Sequence, residues 1–178
     1  MDALNVENFD QNERCLRLRH RPEIGTPLKN KGAAERSIAV GEHYCQVIPD
    51  YIEHTRDPVR DKHGGRPLIT STQERLSAGV IRNAVYSVTR PCQYTECPHD
   101  RDPETCEAMS YETAKECPLS RSPHGIRRGS ITKHLRNGTP QDVVSDRANV
   151  SPEVLERHYD QRSEQEKMEL RRRFLEDA

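Results

Sequence analysis

Two apolar rhythms divide this sequence, and a stretch with neither lies between them. Over the first forty positions apolar residues alternate with polar ones. Leu4, Val6 and Phe9 precede the turn-like Asp10-Gln11-Asn12, and Cys15, Leu16 and Leu18 follow among Arg14, Arg17 and Arg19. After Gly25-Thr26-Pro27 and a polar loop carrying Lys29 and Lys31, Arg36-Ser37-Ile38-Ala39-Val40 resumes the alternation. A period of two marks half-buried strands, so a small antiparallel sheet of three strands with a lysine-bearing turn is expected. Beyond it the spacing becomes helical. Tyr44, Val47, Ile48, Tyr51 and Ile52 suggest a helix over 42–56, although Pro49 removes one of its hydrogen bonds. Val80, Ile81, Ala84, Val85 and Val88 mark another over 77–89. Helices resume at Pro123 with Ile126, Ile131 and Leu135, and Gly138 is a natural stop. A further helix spans about 140–146, one starts at Ser151-Pro152-Glu153, and the last starts at Ser163, where Glu166 completes a capping box. The outline is α+β: a small sheet, then mostly helices.

Composition limits what this outline can be. A chain of 178 residues is the size of one domain. With 32% apolar residues, no Trp and two Phe its core must be lean. Its uncharged apolar runs fall well short of the ~18 residues of a membrane span, and no apolar segment follows a basic N-terminus. A cytoplasmic protein with no membrane partner is expected. The formal net charge is -1 although 32% of residues are charged, and Arg outnumbers Lys by 22 to 6. Arginine forks onto phosphate and carboxylate, whereas lysine acts as a hydrated point charge. Cationic side chains gather between Arg14 and Arg36, and again between Arg121 and Ala148, where six stand against two acidic residues. Local patches in a nearly neutral chain point to an anionic ligand met at a site.

Between Pro91 and Ser122 cysteines replace periodicity. Cys15 and Cys45 are isolated and fit buried small apolar positions. The other four form Cys92-x4-Cys97-Pro98-His99-x6-Cys106-x10-Cys117. The spacing matches no standard zinc ribbon, and three readings stand: a structural zinc held by Cys92, Cys97, Cys106 and Cys117, unligated thiols, or a disulfide pair.

The most informative stretch is Ser122-Pro123-His124-Gly125-Ile126-Arg127-Arg128-Gly129. His124 and Arg127, three apart, share a helical face near a helix N-terminus, where backbone N–H groups also favour an anion. About thirty residues on, Tyr159 sits in Arg157-His158-Tyr159-Asp160, a charged setting with no apolar pattern to explain it; taken alone, it reads as a half-buried aromatic with its hydroxyl in water. A lysine-bearing hairpin, a helix opened by His-x-x-Arg, and a tyrosine after a short helix together resemble the catalytic domain of tyrosine recombinases, the phage-type integrases. The phrases Pro123-His124-Gly125-Ile126-Arg127-Arg128-Gly129-Ser130 and Ser151-Pro152-Glu153-Val154-Leu155-Glu156-Arg157-His158-Tyr159 carry the likeness, which covers most of residues 3–162.

The resemblance implies a mostly helical catalytic domain behind the sheet, double-stranded DNA as partner, and site-specific recombination or integration through a 3′-phosphotyrosyl intermediate. A phenol is almost wholly protonated at neutral pH, and a phosphodiester repels nucleophiles, so cationic donors must offset the charge that builds on its oxygens. By position, the resemblance implies Tyr159 as nucleophile, Arg127 on the non-bridging oxygens and His124 as donor or acid/base. Lys31, with Lys29 as the alternative, would protonate the leaving 5′-oxygen. It implies no cofactor for catalysis, neither ATP nor a metal, and assembly into homo-oligomers on DNA through the C-terminal helix with Met168, Leu170, Phe174 and Leu175.

Two departures qualify it. The family places another arginine on a helix ahead of the first strand, and Met1-Asp2-Ala3-Leu4-Asn5-Val6 already reads as that strand. Residues 1–178 are therefore expected to be a catalytic domain lacking its first helix and the N-terminal clamp, interrupted by a Cys-rich insertion at 91–122, with impaired activity. The family's second histidine or tryptophan also has no counterpart in Val144-Ser145-Asp146-Arg147-Ala148-Asn149-Val150; Arg147 and Asn149 are alternative donors. The competing expectation is an inactive, zinc-stabilised DNA-binding module.

Overall fold

The computed structural model describes residues 3–176, except for the side chains of Arg173, Phe174 and Glu176. Phe174, one of the expected contacts of the last helix, thus lies outside the described side chains. Contacts divide the chain into two compact units, one ending at Ala84 and one beginning at Val85. Among the described residues no helix is long and apolar enough to cross a membrane.

The first unit holds the sheet. β1 (Phe9–Asp10), β2 (Cys15–Leu18) and β3 (Arg36–Ala39) run antiparallel in the order β1-β2-β3. Phe9 pairs with Leu16, and Leu16 with Ile38. This matches the expected alternation, with one shift at its start. Val6–Asn8 is a 3-10 turn rather than strand. The reason is local: Asn8 Oδ1 accepts from Asn5 N–H at 2.7 Å while Asn8 Nδ2 donates to Arg17 O. That bends the chain so that Val6 N–H meets Arg66 O at 2.8 Å instead of joining β2.

Polar bonds rather than apolar bulk tie the remainder of this unit. Arg75 donates to Leu4 O, Asn5 Oδ1 and Asp61. Burial pushes the Asp61 carboxyl upward, but the hydrogen bond from Arg75 and those from the N–H groups of His63 and Gly65 together hold it below its ordinary value. α1 (Glu42–Asp50) contains Pro49 and passes into a π-type turn, Tyr51–Thr55, closed by Arg56 N–H on Tyr51 O at 2.7 Å. The helix runs through Pro49 into this wider turn, and the helical reading of 42–56 holds. α2 (Ala78–Val88) follows.

In the second unit α3 (Pro123–Arg136), α4 (Gln141–Ala148) and α5 (Pro152–His158) enclose one core of Ile131, Leu135, Val144, Leu155 and Tyr159, flanked by Ala148 and Val150. Ile131 and Leu135 are one turn apart and both buried, whereas Ile126 is 48% exposed. Five residues turn a helix through about 140° relative to the buried stripe, so Ile126 cannot share it. Gly138 ends α3 with φ 82, a left-handed conformation that glycine adopts without strain. A β-carbon there would also lie 2.9 Å from Leu170 Cδ2. Leu170 belongs to α6 (Glu164–Glu176), so the last helix lies back against the end of α3. Its start is the expected capping box: Ser163 N–H donates to Glu166 Oε2 at 2.6 Å and Glu166 N–H to Ser163 Oγ at 3.2 Å. Hydrogen bonds to the carboxylate from the Ser163 N–H, first, and from the Ser163 side chain hold the Glu166 carboxyl below its usual value.

Candidate functional site

α3 begins where the sequence says it should. Ser122 Oγ accepts the Gly125 N–H at 3.1 Å, and Pro123 occupies the first turn, where a missing N–H costs nothing. His124, Arg127 and Arg128 project from this first half of the helix, all exposed. Arg127 donates to Ala148 O at the end of α4. Arg128 donates to His158 O at 3.2 Å, at the end of α5. The two arginines therefore tie the opening of α3 to the ends of the two helices that follow.

Tyr159 caps α5. Its N–H returns to Leu155 O at 2.9 Å and its carbonyl accepts from Thr132 Oγ1 at 3.4 Å. The side chain is 9% exposed and belongs to the apolar core. The expectation of a tyrosine without apolar reason is corrected here: one turn beyond the fully buried Leu155, it completes the core that α3 supplies. Directly after it, Asp160 takes two hydrogen bonds from Arg162, at 2.7 and 2.8 Å, and Arg162 Nη1 donates to Leu135 O at 3.0 Å. Arg162 draws the Asp160 carboxyl below its ordinary value despite burial, and Lys167 adds to the effect. The backbone on both sides of Tyr159 is thus anchored to α3.

His124, Arg127 and Tyr159 belong to one unit and to elements packed on one core. Lys31 belongs to the other unit. It lies exposed in the 3-10 turn Lys31–Ala34 between β2 and β3, with φ 51, and Lys29 is exposed just ahead of it. Asn149, expected as an alternative donor, also ends α4 through its backbone. With φ 51 it caps α4 in the left-handed region and sends its N–H to Asp146 O. Asparagine tolerates that conformation better than most residues. His158 is exposed on α5.

One feature was not anticipated. Arg121, Arg128, Lys133 and Arg136 line a cleft of about 580 Å³ together with Gly125, Gly129, Thr132 and Gln161. The small residues recur every three to four positions along α3, clearing space between long cationic side chains. That spacing is the signal which could have located the cleft.

The cysteine-rich stretch also draws together. Cys92, Cys97, Cys106 and Cys117 line one small void with His99, and all six cysteines are free. The Cys92 and Cys97 thiols share a hydrogen bond that pushes Cys92 up, while the N–H groups of His99 and Arg101 hold Cys97 down. Among the described residues no three Cys, His, Asp or Glu side chains are gathered closely enough to hold a metal as they stand.

No protein-family model matches the sequence, and no curated protein matches it. Among solved structures, the chain is similar to a XerA recombinase, with a TM-score of 0.60 and 14% sequence identity over 97% of this chain and 51% of that one. It spans about half the length of that recombinase. At this identity the likeness is one of fold: a three-stranded antiparallel sheet followed by helices, α+β and recombinase-like.

Proposed function

We propose that this chain is catalytic machinery of the tyrosine-recombinase type, breaking and rejoining duplex DNA at specific sites through a 3′-phosphotyrosyl intermediate on Tyr159. The observation that carries the reading is the common core. In a recombinase-like fold, the helix bearing His124 and Arg127 packs on the same five buried residues that include Tyr159. In the proposed step His124 takes the phenol proton as Tyr159 Oη attacks phosphorus, an oxygen–phosphorus bond to the tyrosine forms, and the bond to the 5′-oxygen breaks. Arg127 and His124 donate to the non-bridging oxygens as charge builds on them. Lys31 delivers the proton that the departing 5′-oxygen needs. The cationic lining formed by Arg121, Arg128, Lys133 and Arg136 follows the phosphate backbone, giving affinity without sequence readout.

The same geometry describes a resting state. The Tyr159 ring is largely covered by the core and Arg127 is occupied by Ala148 O, so cleavage requires Arg127 to exchange a carbonyl for phosphate. These two facts also favour a second reading, a DNA-binding module of this fold that does no chemistry. Assembly on DNA through α6 is part of the first reading; Met168 and Leu175 are 38% and 79% exposed on it.

A randomised pool of nicked duplexes, which trap a phosphotyrosyl adduct by losing the leaving strand, separates the two. Under the enzymatic reading a detergent-resistant protein–DNA adduct forms, Tyr159→Phe abolishes it, and Arg127→Ala lowers its rate by about 10²–10³. DNA retention with no adduct at any concentration establishes the binding module instead. An adduct that survives Tyr159→Phe overturns the assignment of the nucleophile.

A further inference from the structure

Nothing in the proposed DNA chemistry uses the four clustered cysteines, yet the segment carrying them is built in a way that demands an explanation. Between α2 and α3 the chain makes only the short 3-10 turns Pro91–Gln93, Glu107–Met109 and Ala114–Glu116. The apolar side chains it buries are Ala108 and Ala114, 4% and 1% exposed; the four cysteines, Pro91, Met109 and Leu119 are only partly covered. Two methyl groups remove little area from water, whereas every ordered residue gives up backbone freedom. A segment so short of apolar burial needs a cross-link to stay folded.

Its four cysteines border one space. Cys92, Cys97, Cys106 and Cys117 line a single void of about 10 Å³, close to one water-sized sphere and so room for an ion but not for a molecule. Cys92 and Cys97 are already in hydrogen-bond contact through sulfur. In a tetrahedral site with zinc–sulfur bonds of about 2.3 Å, neighbouring sulfurs lie about 3.8 Å apart, which is the range of such a contact. The turn Cys97-Pro98-His99-Asp100 closes with Asp100 N–H on Cys97 O at 3.0 Å, and Asp100 takes φ 51. That turn aims the His99 and Arg101 N–H groups at Cys97 Sγ, an arrangement that stabilises a thiolate.

We propose that Cys92, Cys97, Cys106 and Cys117 bind one structural zinc ion as four thiolates, closing the 91–121 excursion just ahead of α3. All four positions are filled by protein sulfur, so the ion has no open site and its work is architectural. The side chains are not yet at ligand distance from a common point; the ion supplies the contraction, because metal binding and local folding are one process.

The test uses the full 178-residue chain, expressed without a histidine tag. Elemental analysis is expected to find about one zinc per chain, and less than about a tenth of an equivalent overturns the proposal. Cobalt(II) exchanged into the chain should show the thiolate-to-metal charge-transfer absorption of tetrathiolate coordination; its absence overturns the ligand set. Cys97→Ser should reduce zinc at least about tenfold while the unfolding transition of the α3–α5 core persists. His99→Ala should leave zinc content unchanged, and a loss there reassigns a ligand and overturns the four-thiolate form. Alkylation in denaturant should label all six cysteines; labelling short by two reveals a disulfide and overturns the site.

Discussion

Two neighbouring stretches of the second unit are folded by different means. From Pro123 to His158 three helices share a core of five buried residues in which Leu135 and Leu155 are essentially sealed from solvent. From Pro91 to Ser120 the chain buries two alanines and depends on polar links. Arg90, itself 3% exposed, reaches Ser87, Ala108 and Ser110 with one guanidinium. The first stretch gains its stability from area removed from water, which is non-directional and tolerates modest change. The second depends on a few directional contacts, each of which matters locally and little beyond. His124, Arg127 and Tyr159 all lie on the first kind of framework.

Substitutions can break or sharpen that contrast. Leu155→Ala is expected to have the largest effect, lowering the stability of the helical core by about 4 kcal/mol, read as a shift in the urea midpoint. Asp160→Asn should follow, at about 3 kcal/mol, because it strands the nearly buried Arg162 guanidinium. The pH dependence has a definite sign. Since the Asp160 carboxyl is held below its ordinary value of 3.8, the stability it supplies is complete above that value. It is lost as pH falls through the depressed one, and an acid titration of wild type against Asp160→Asn should converge there. Arg90→Ala should cost about 2 kcal/mol, confined to the cysteine segment. Hydrogen exchange should accelerate across 91–120 and stay unchanged in α3 and α5; acceleration in both would erase the distinction. Ser122→Ala removes the cap of α3 and should cost about 1 kcal/mol. Tyr159→Phe keeps the ring in the core and should change stability by less than about 0.5 kcal/mol, so loss of a DNA adduct in that variant reports chemistry rather than folding.

Local signals carried much of this architecture. Alternation around Leu16 and Ile38 announced the sheet, Ser122-Pro123 the start of α3, and Ser163 with Glu166 the start of α6, because each is decided by neighbours within a turn or a strand pair. What could not be read required knowledge of distant partners. Val6 keeps the rhythm of a strand, but the Asn5–Asn8 bond diverts it toward Arg66. Tyr159 stands among charges in sequence, and its apolar company of Ile131, Leu135 and Val144 arrives only when α3 and α4 fold onto α5. His124, Arg127 and Tyr159 were legible as chemical types. That Arg127 spends its guanidinium on Ala148 O, and that Arg128 rather than Arg127 reaches the end of α5, is a matter of tertiary geometry.

A single hydroxyl has a larger consequence than its size suggests. Thr89 Oγ1 accepts the Arg121 N–H at 2.9 Å while its own hydrogen turns back to Val85 O at 2.7 Å, so the chain leaves and rejoins its path at one point. The intervening residues form a closed detour, a pendant whose length and contents are free to vary without changing the direction in which the next helix sets out. Excising the pendant and joining its two ends with a short turn should leave α3 oriented as it is now, and would make the cysteine segment a removable ornament on a scaffold that does not depend on it.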